Sequence, residues 1–339
     1  MIRDIGRIID ANLNRATEGL RVIEDVYRYL RDDADLQQRL KDVRHRISGA
    51  VPSSGLPAAR DAASDVGFSS KGLLEEKRAS LRDVLRSNMK RVQEGLRVLE
   101  EVLKLDSPDA SKVMKEIRYA CYQIERDIEI KARRTLRKGL YLVMTELAQG
   151  YESLARMAVS AGIPAIQLRY KGDDSRYFLQ CAAAVRKITE GSDTRFIVND
   201  RVDIALLSGA DGVHLGQGDI PPRQARRLAG DRLMIGLSTH TLDQVGRAQE
   251  EPVDYIGFGP VYLPFSKENH DEVTGVEALR EAVRLSRLPV VAIGGITRER
   301  LEELAGSSCR NVACIGAVAS AQDPGEEMQA IHTRSEEIL

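Results

Sequence analysis

A chain of 339 residues, 42% hydrophobic and 30% charged with a net charge of −1, is long for one compact core and comfortable for two. That balance excludes a disordered chain, and the near-neutral total excludes a protein that coats nucleic acid by bulk charge. Residues 1–138 hold more Lys and Arg than Asp and Glu, and residues 139–339 the reverse, which fits two modules with different surfaces.

No charged start followed by a long apolar run marks a secretory signal, and no run of about 20 apolar residues is present to span a bilayer. Cys121, Cys181, Cys309 and Cys314 form no C-x-x-C pair and sit in apolar or helical contexts, as reduced thiols do. A cytoplasmic protein without a membrane partner is expected, and whether it forms a homo-oligomer is left open.

From residue 10 to about residue 30, Leu13, Ala16, Leu20, Ile23 and Val26 recur at spacings of three and four, the period of an amphipathic helix. The same text returns at a constant offset of 76. Asn12, Glu18, Gly19, Leu20, Arg21 and Glu24 match Asn88, Glu94, Gly95, Leu96, Arg97 and Glu100. A second helical stretch follows each copy, residues 36–47 and 111–130, with Arg44 and Arg118 in similar places. This repeat predicts a four-helix arrangement with a pseudo-twofold relation. The mid-helix glycines, each costing about 1 kcal/mol relative to alanine, point to a close helix crossing. Ion pairs within each helix account for the charged residues, with a ligand site as the alternative.

Residues 48–72, rich in Gly, Pro, Ser and Ala, join the two halves and carry Asp61 and Asp65, which could hold Mg²⁺ or cap a short helix. The basic run 131–138 lacks the interleaved aromatics of a nucleic-acid site and reads as a solvated helix end and hinge. The expected domains are a helical one over 1–130, the hinge over 131–138, and a barrel over 139–339.

After Gly139 short apolar runs alternate with amphipathic stretches. The strand candidates are 140–145, 165–170, 196–199, 212–215, 233–237, 255–259, 290–293 and 312–315, with helical segments at 151–161, 176–189, 222–228, 276–285, 298–305 and from 324 on. Eight such units in about 200 residues predict a closed (β/α)₈ TIM barrel, with a doubly wound open sheet as the lesser alternative; in a barrel, chemistry belongs at the C-terminal ends of the strands. Ile163, Val198 and Val291 read as core.

Those strand ends collect polar residues. In the second strand, a period of two sends Gln167, Arg169 and Lys171 to one face and Leu168 and Tyr170 to the other. Asn199, Asp200 and Arg201 end the third; His214, Gln217 and Asp219 follow in the fourth; Ser238 and His240 end the fifth. Gly259 and Pro260 lead on to Ser266 and Lys267, and Gly294, Gly295, Ile315 and Gly316 close the set. Adjacent strands lie about 4.8 Å apart, so Asp200 and Asp219 can reach one cation. Ligation by few carboxylates is a Mg²⁺ pattern, about one ion per subunit, completed by phosphate and water. With Arg169, Lys171 and Lys267 nearby, the sum is a diphosphate clamp. Gly294-Gly295 and Ile315-Gly316 offer backbone N–H groups to a second phosphate. Two phosphorylated small-molecule substrates follow, with no nucleic acid. His214 and His240 are given no proton-transfer role, since a histidine in an apolar strand also packs and bonds locally.

The ordered set Gln167-Leu168-Arg169-Tyr170-Lys171, Asn199-Asp200-Arg201, Gly212 to Asp219, Gly236 to His240, Gly259 to Lys267 and Ala292 to Ile296 resembles thiamine-phosphate synthase. The resemblance runs through nearly all of 139–339. It implies condensation of hydroxymethylpyrimidine diphosphate with a thiazole phosphate, or its carboxylated precursor, to thiamine phosphate and diphosphate. It assigns Gln167, Leu168, Arg169, Tyr170, Lys171, Asn199, Ser238 and Lys267 to the pyrimidine diphosphate, with Arg169, Lys171, Ser238 and Lys267 as the catalytic set. Asp200 and Asp219 would take Mg²⁺, and Gly295, Ile315 and Gly316 the thiazole phosphate.

Two departures stand out. Pro264-Phe265-Ser266-Lys267 replaces the family's Thr-x-Thr-Lys, so one hydroxyl contact is absent and Ser266 serves for the other among these substrate-binding positions. Gly316 stands where a serine is common. A thiazole tautomerase on the same barrel, using His240, is the competing enzyme. The helical half resembles an N-terminal extension of some synthases and a family proposed to phosphorylate hydroxymethylpyrimidine phosphate; a dimerisation or regulatory module is the alternative.

Overall fold

The computed structural model describes residues 2–51, 78, 80–145, 150–263 and 272–339, which divide into two compact units, Met1–Glu129 and Ile130–Leu339. The segment carrying Asp61 and Asp65 lies outside the described residues, as do Pro264, Phe265, Ser266 and Lys267.

The first unit holds helices α1 (Ile2–Tyr29), α2 (Ala34–Ala50), α3 (Leu81–Val102) and all but the last four residues of α4 (Pro108–Arg133), with a short 3-10 turn at Leu103–Leu105. Asp33 caps α2 by accepting from the Leu36 N–H, and Ser80 caps α3 by accepting from that of Asp83, each satisfying a donor the helix start leaves open. The apolar faces close on a core that includes Leu20, Ile23, Leu40, Leu96, Leu99 and Met114.

The repeat is visible in the contacts. A Cβ on Gly19 would stand 2.9 Å from the Val92 side chain and 3.1 Å from the Asn88 carbonyl, and one on Gly95 would stand 3.1 Å from the Asn12 carbonyl and 3.7 Å from Ala16. Asn12 and Ala16 are the 76-residue counterparts of Asn88 and Val92, so α1 and α3 cross through reciprocal glycine notches. The charged residues differ from expectation: Glu24 and Glu100 are buried and paired between helices. Arg44 Nε donates to Glu24 Oε2 at 3.0 Å, and Arg118 Nε donates to Glu100 Oε2 at 2.9 Å. Arg97 adds an intrahelical bond to Glu100, while Arg21 pairs with Asp25 at the surface.

The second unit is a closed parallel barrel of β1 (Gly139–Met144), β2 (Ala165–Leu168), β3 (Arg195–Asn199), β4 (Gly212–Leu215), β5 (Met234–Thr239), β6 (Tyr255–Phe258), β7 (Val290–Ile293) and β8 (Asn311–Cys314). Between the strands run α5 (Tyr151–Ser160), α6 (Ser175–Thr189), α7 (Val202–Ser208), α8 (Pro222–Ala229), α9 (Leu242–Ala248) and α10 (Gly275–Leu285). Only a 3-10 turn, Leu301–Leu304, is formed where residues 298–305 were expected as a helix; α11 (Gly316–Ala319) and α12 (Pro324–Ile338) complete the unit. No helix among the described residues is long and apolar enough to cross a membrane.

The period of two sorts the barrel into layers. Leu140, Ile166, Val198, Leu215 and Phe258 pack outward against the helices with Ile163, whereas Tyr141, Val143, Ala165, Ile197, Tyr255 and Val291 fill the interior. The basic run is fastened to this unit. Arg134 donates to the Gly230 carbonyl and Asp231, Arg137 to the Gly162 carbonyl, and the Leu136 and Arg137 carbonyls accept from Arg310 and Asn311.

Candidate active site

The ends of β2, β3 and β4 bring charged residues together. Asn199 stands opposite His214 in the register, and the next residue, Asp200, takes a left-handed φ of 63° while its N–H donates to the His214 carbonyl at 2.8 Å. That conformation is uncommon outside glycine and turns the chain out of the strand. Lys171 Nζ donates to Asp200 Oδ2 at 3.1 Å. Asp219 folds back so that Oδ2 accepts from the Gly216 N–H at 2.6 Å. Burial, together with the neighbouring Asp200 carboxylate, raises the Asp219 pKa against the pull of the Gly216 N–H and the Lys171 ammonium.

Burial is the larger cause and the Asp200 carboxylate the smaller, and a divalent cation beside the two carboxylates would relieve both. Among the described residues no group of three or more His, Cys, Asp or Glu is placed to hold a metal ion.

Beneath these residues a chain of hydrogen bonds crosses the barrel interior. Gln167 Nε2 donates to the Tyr141 hydroxyl at 3.1 Å, and the Tyr141 and Tyr255 hydroxyls lie 2.8 Å apart. Tyr255 Oη is 3.0 Å from His214 Nδ1, and His214 Nε2 is 3.0 Å from Ser238 Oγ. Burial pushes both tyrosines above their ordinary pKa and lowers His214 to about 4. At neutral pH the network is therefore uncharged.

After β7 the chain turns through Gly294 and Gly295, with φ of 102° and 63°. A Cβ on Gly295 would stand 2.5 Å from the Leu263 carbonyl oxygen, and one on Gly294 would collide with Pro260, so both positions require glycine. Arg300 Nη1 donates to the Gly295 carbonyl at 2.6 Å, and its guanidinium lies 4.8 Å from the Tyr262 ring centroid. On the adjacent strand, whose Ala313 pairs with Ile293, the chain continues to Ile315 and Gly316, the start of α11.

The Thiamine monophosphate synthase family matches residues 140–318. The thiamine-phosphate synthase of Gloeobacter violaceus is 40% identical over 322 residues, 94% of this chain and 93% of that protein. That of Nostoc punctiforme is 39% identical over 94% of this chain and 90% of its own length. The chain belongs to the thiamine-phosphate synthase family. It is a transferase. The thiamine phosphate pyrophosphorylase structure from Pyrococcus furiosus, 34% identical, superposes with a TM-score of 0.55 over 61% of this chain and 98% of that one. Residues 7–127 match the ThiD2 family.

Set beside the residues expected for a thiamine-phosphate synthase, the described structure brings Gln167, Lys171, Asp200, Asp219 and Ser238 into linked contacts. Asn199 is buried at the end of β3, and Arg169 is half-buried beyond β2, its N–H donating to the Met144 carbonyl. Leu168 faces the helix layer, and Tyr170 packs on Tyr177 and Phe178. Arg201 turns aside to Asp203 and Ser175. His240 directs Nδ1 to the Gly259 carbonyl at 2.7 Å. Tyr141, Tyr255 and Arg300 were not singled out from the sequence. The parity of their strands carried a signal for the two tyrosines, because an inward hydroxyl in an apolar barrel needs a partner.

Proposed function

We propose that the barrel joins hydroxymethylpyrimidine diphosphate to the thiazole phosphate, or to its carboxylated precursor with loss of CO₂, and releases diphosphate. The observation that carries this reading is the Lys171–Asp200 contact with Asp219 beside it, a mixed-charge cluster of the kind a diphosphate and its cation require. Asp200 and Asp219 would hold Mg²⁺, which when bound supplies positive charge to the departing diphosphate. Arg169, Lys171 and Lys267 add fixed cations around the same oxygens, and the Ser238 hydroxyl adds a donor. The bond from the pyrimidine methylene to the ester oxygen breaks with its electron pair leaving on diphosphate, and the thiazole nitrogen lone pair forms the new C–N bond. That nitrogen carries no proton to remove, which agrees with the uncharged network beneath the site. Gln167 would orient the pyrimidine, while the N–H groups of Gly295, Ile315 and Gly316 would receive the thiazole phosphate. Four free cysteines support a reducing, cytoplasmic setting.

The test is the full chain with Mg²⁺ and both substrates, which should form thiamine phosphate and diphosphate. Thiazole isomerisation without product would move the assignment to a tautomerase.

The ThiD2 family match favours a second activity. We propose that the helical unit phosphorylates hydroxymethylpyrimidine phosphate and so makes the barrel's diphosphate substrate. The full chain given that monophosphate and ATP, without thiazole, should yield ADP and the diphosphate ester; no turnover removes this reading and leaves the barrel's untouched.

A further inference from the structure

The bonds from Gln167 to Ser238 have a direction that can be read by counting protons. An amide nitrogen only donates, so the Tyr141 hydroxyl accepts from Gln167 Nε2. Its single proton then goes to its other neighbour, the Tyr255 oxygen. Tyr255, having accepted, places its own proton on His214 Nδ1. A neutral imidazole that accepts at Nδ1 carries its proton on Nε2, and that proton is donated to Ser238 Oγ. Ser238 has then accepted from below, and its own proton is directed away from the histidine. Reversing the order requires the Gln167 amide to turn over and Ser238 to spend its proton on His214.

We infer that Tyr141, Tyr255 and His214 are positioning residues that fix Ser238 as a hydrogen-bond donor to the substrate and tie that role to the orientation of the Gln167 amide. The inference rests on the functional reading above for what Ser238 meets, and on the interior geometry alone for its direction. A donor at Ser238 accepts ligands offering a lone pair there, such as an ester or phosphate oxygen, and discriminates against a ligand that presents its own N–H or O–H. The fixed Gln167 amide keeps Oε1 as its acceptor, which suits the amino group of an aminopyrimidine. Recognition of the ring and of the leaving group therefore share one hydrogen-bond order, carried by residues from β1, β2, β4, β5 and β6.

The first test needs no substrate. In the full chain labelled with ¹⁵N-histidine, long-range ¹H–¹⁵N correlation reports the tautomer of each of the five histidines, and His214 is assigned by its loss in His214→Gln. A proton on Nε2 is expected; a proton on Nδ1 overturns the inference and leaves the functional reading intact. The second test is a double-mutant cycle on thiamine phosphate formation. Tyr255→Phe frees the His214 tautomer and should lower kcat/KM about tenfold, the size of one lost donor to a charged acceptor, with no further loss when added to Ser238→Ala. An equal loss in both backgrounds would mean that Tyr255 acts only through packing. An unmodified chain without synthase activity would sink the proposed reaction, while the tautomer measurement would still decide the direction.

Discussion

Lys171 Nζ stands 3.1 Å from Asp200 Oδ2, and Asp219 is close enough for its carboxyl pKa to respond to both. The ammonium thus offsets part of the negative charge that Asp200 and Asp219 would offer a cation. Asp200→Asn removes one of two anionic donors while keeping the size of the side chain. Titrating activity against Mg²⁺ should show a higher half-saturating concentration and a turnover lower by on the order of 100-fold. An unchanged Mg²⁺ dependence would discard this metal site.

Arg300 holds the double-glycine turn by its bond to the Gly295 carbonyl and its stacking on Tyr262. Arg300→Ala loosens a turn whose N–H groups are assigned to the thiazole phosphate. Steady-state kinetics with each substrate varied should give about a tenfold rise in KM for the thiazole phosphate and a much smaller one for the pyrimidine diphosphate. Equal rises would argue against the division of the two anions.

In the helical unit, Glu100 is buried and accepts from Arg118, whose side chain is only 11% exposed. Glu100→Ala leaves a nearly buried guanidinium without this partner, a loss of about 3 kcal/mol or more in urea unfolding. Arg97 is 56% exposed, so Arg97→Ala should cost about 1 kcal/mol or less. Similar costs for the two would mean that the buried pair is dispensable.

His332 sets a pH dependence of the barrel's stability. Burial lowers its pKa, the nearby Arg137 charge acts in the same direction, and the Glu336 carboxylate opposes them. The Leu140 N–H donates to Nδ1 at 3.4 Å, so a proton on that nitrogen would face another donor. Because the folded pKa lies below the ordinary 6.5, the unfolded chain binds the proton first as pH falls. The stability contribution is present above about 6.5 and is lost as pH falls through the folded value. His214, lowered to about 4, acts with the same sign. Urea midpoints at pH 7.5 and 5.0 should differ less for His332→Gln than for the unmodified chain, and an equal difference would exclude His332 as a source.

Much of this was legible because apolar periodicity is a local property. The eight strands fall within two residues of the expected bounds, and Val198 and Val291 are core, although on opposite faces of the strands. Segment 202–208, now α7, is too short for a period of 3.6 to declare itself, and 298–305 has the composition of a helix yet forms only a 3-10 turn. The pairing of Arg44 with Glu24 depends on where a second helix lies, which spacing along one helix cannot show. The same holds for Tyr141 and Tyr255, 114 residues apart and brought together only when the barrel closes. Lys171, Asp200 and Asp219 were readable as a set because consecutive parallel strands pair and set their ends side by side.

The reciprocal notches at Gly19 and Gly95 bear on how the helical unit came to be one chain. Each helix pair presents the groove that its copy fills, so two separate molecules of one pair would satisfy the same contacts as a symmetric dimer. Joining them in tandem replaces an encounter governed by protein concentration with a tethered one. It also frees the two copies to diverge, as Arg118 has done by stacking on Tyr119 and Tyr122 while His45 and Ser48 occupy the corresponding turn beside Arg44.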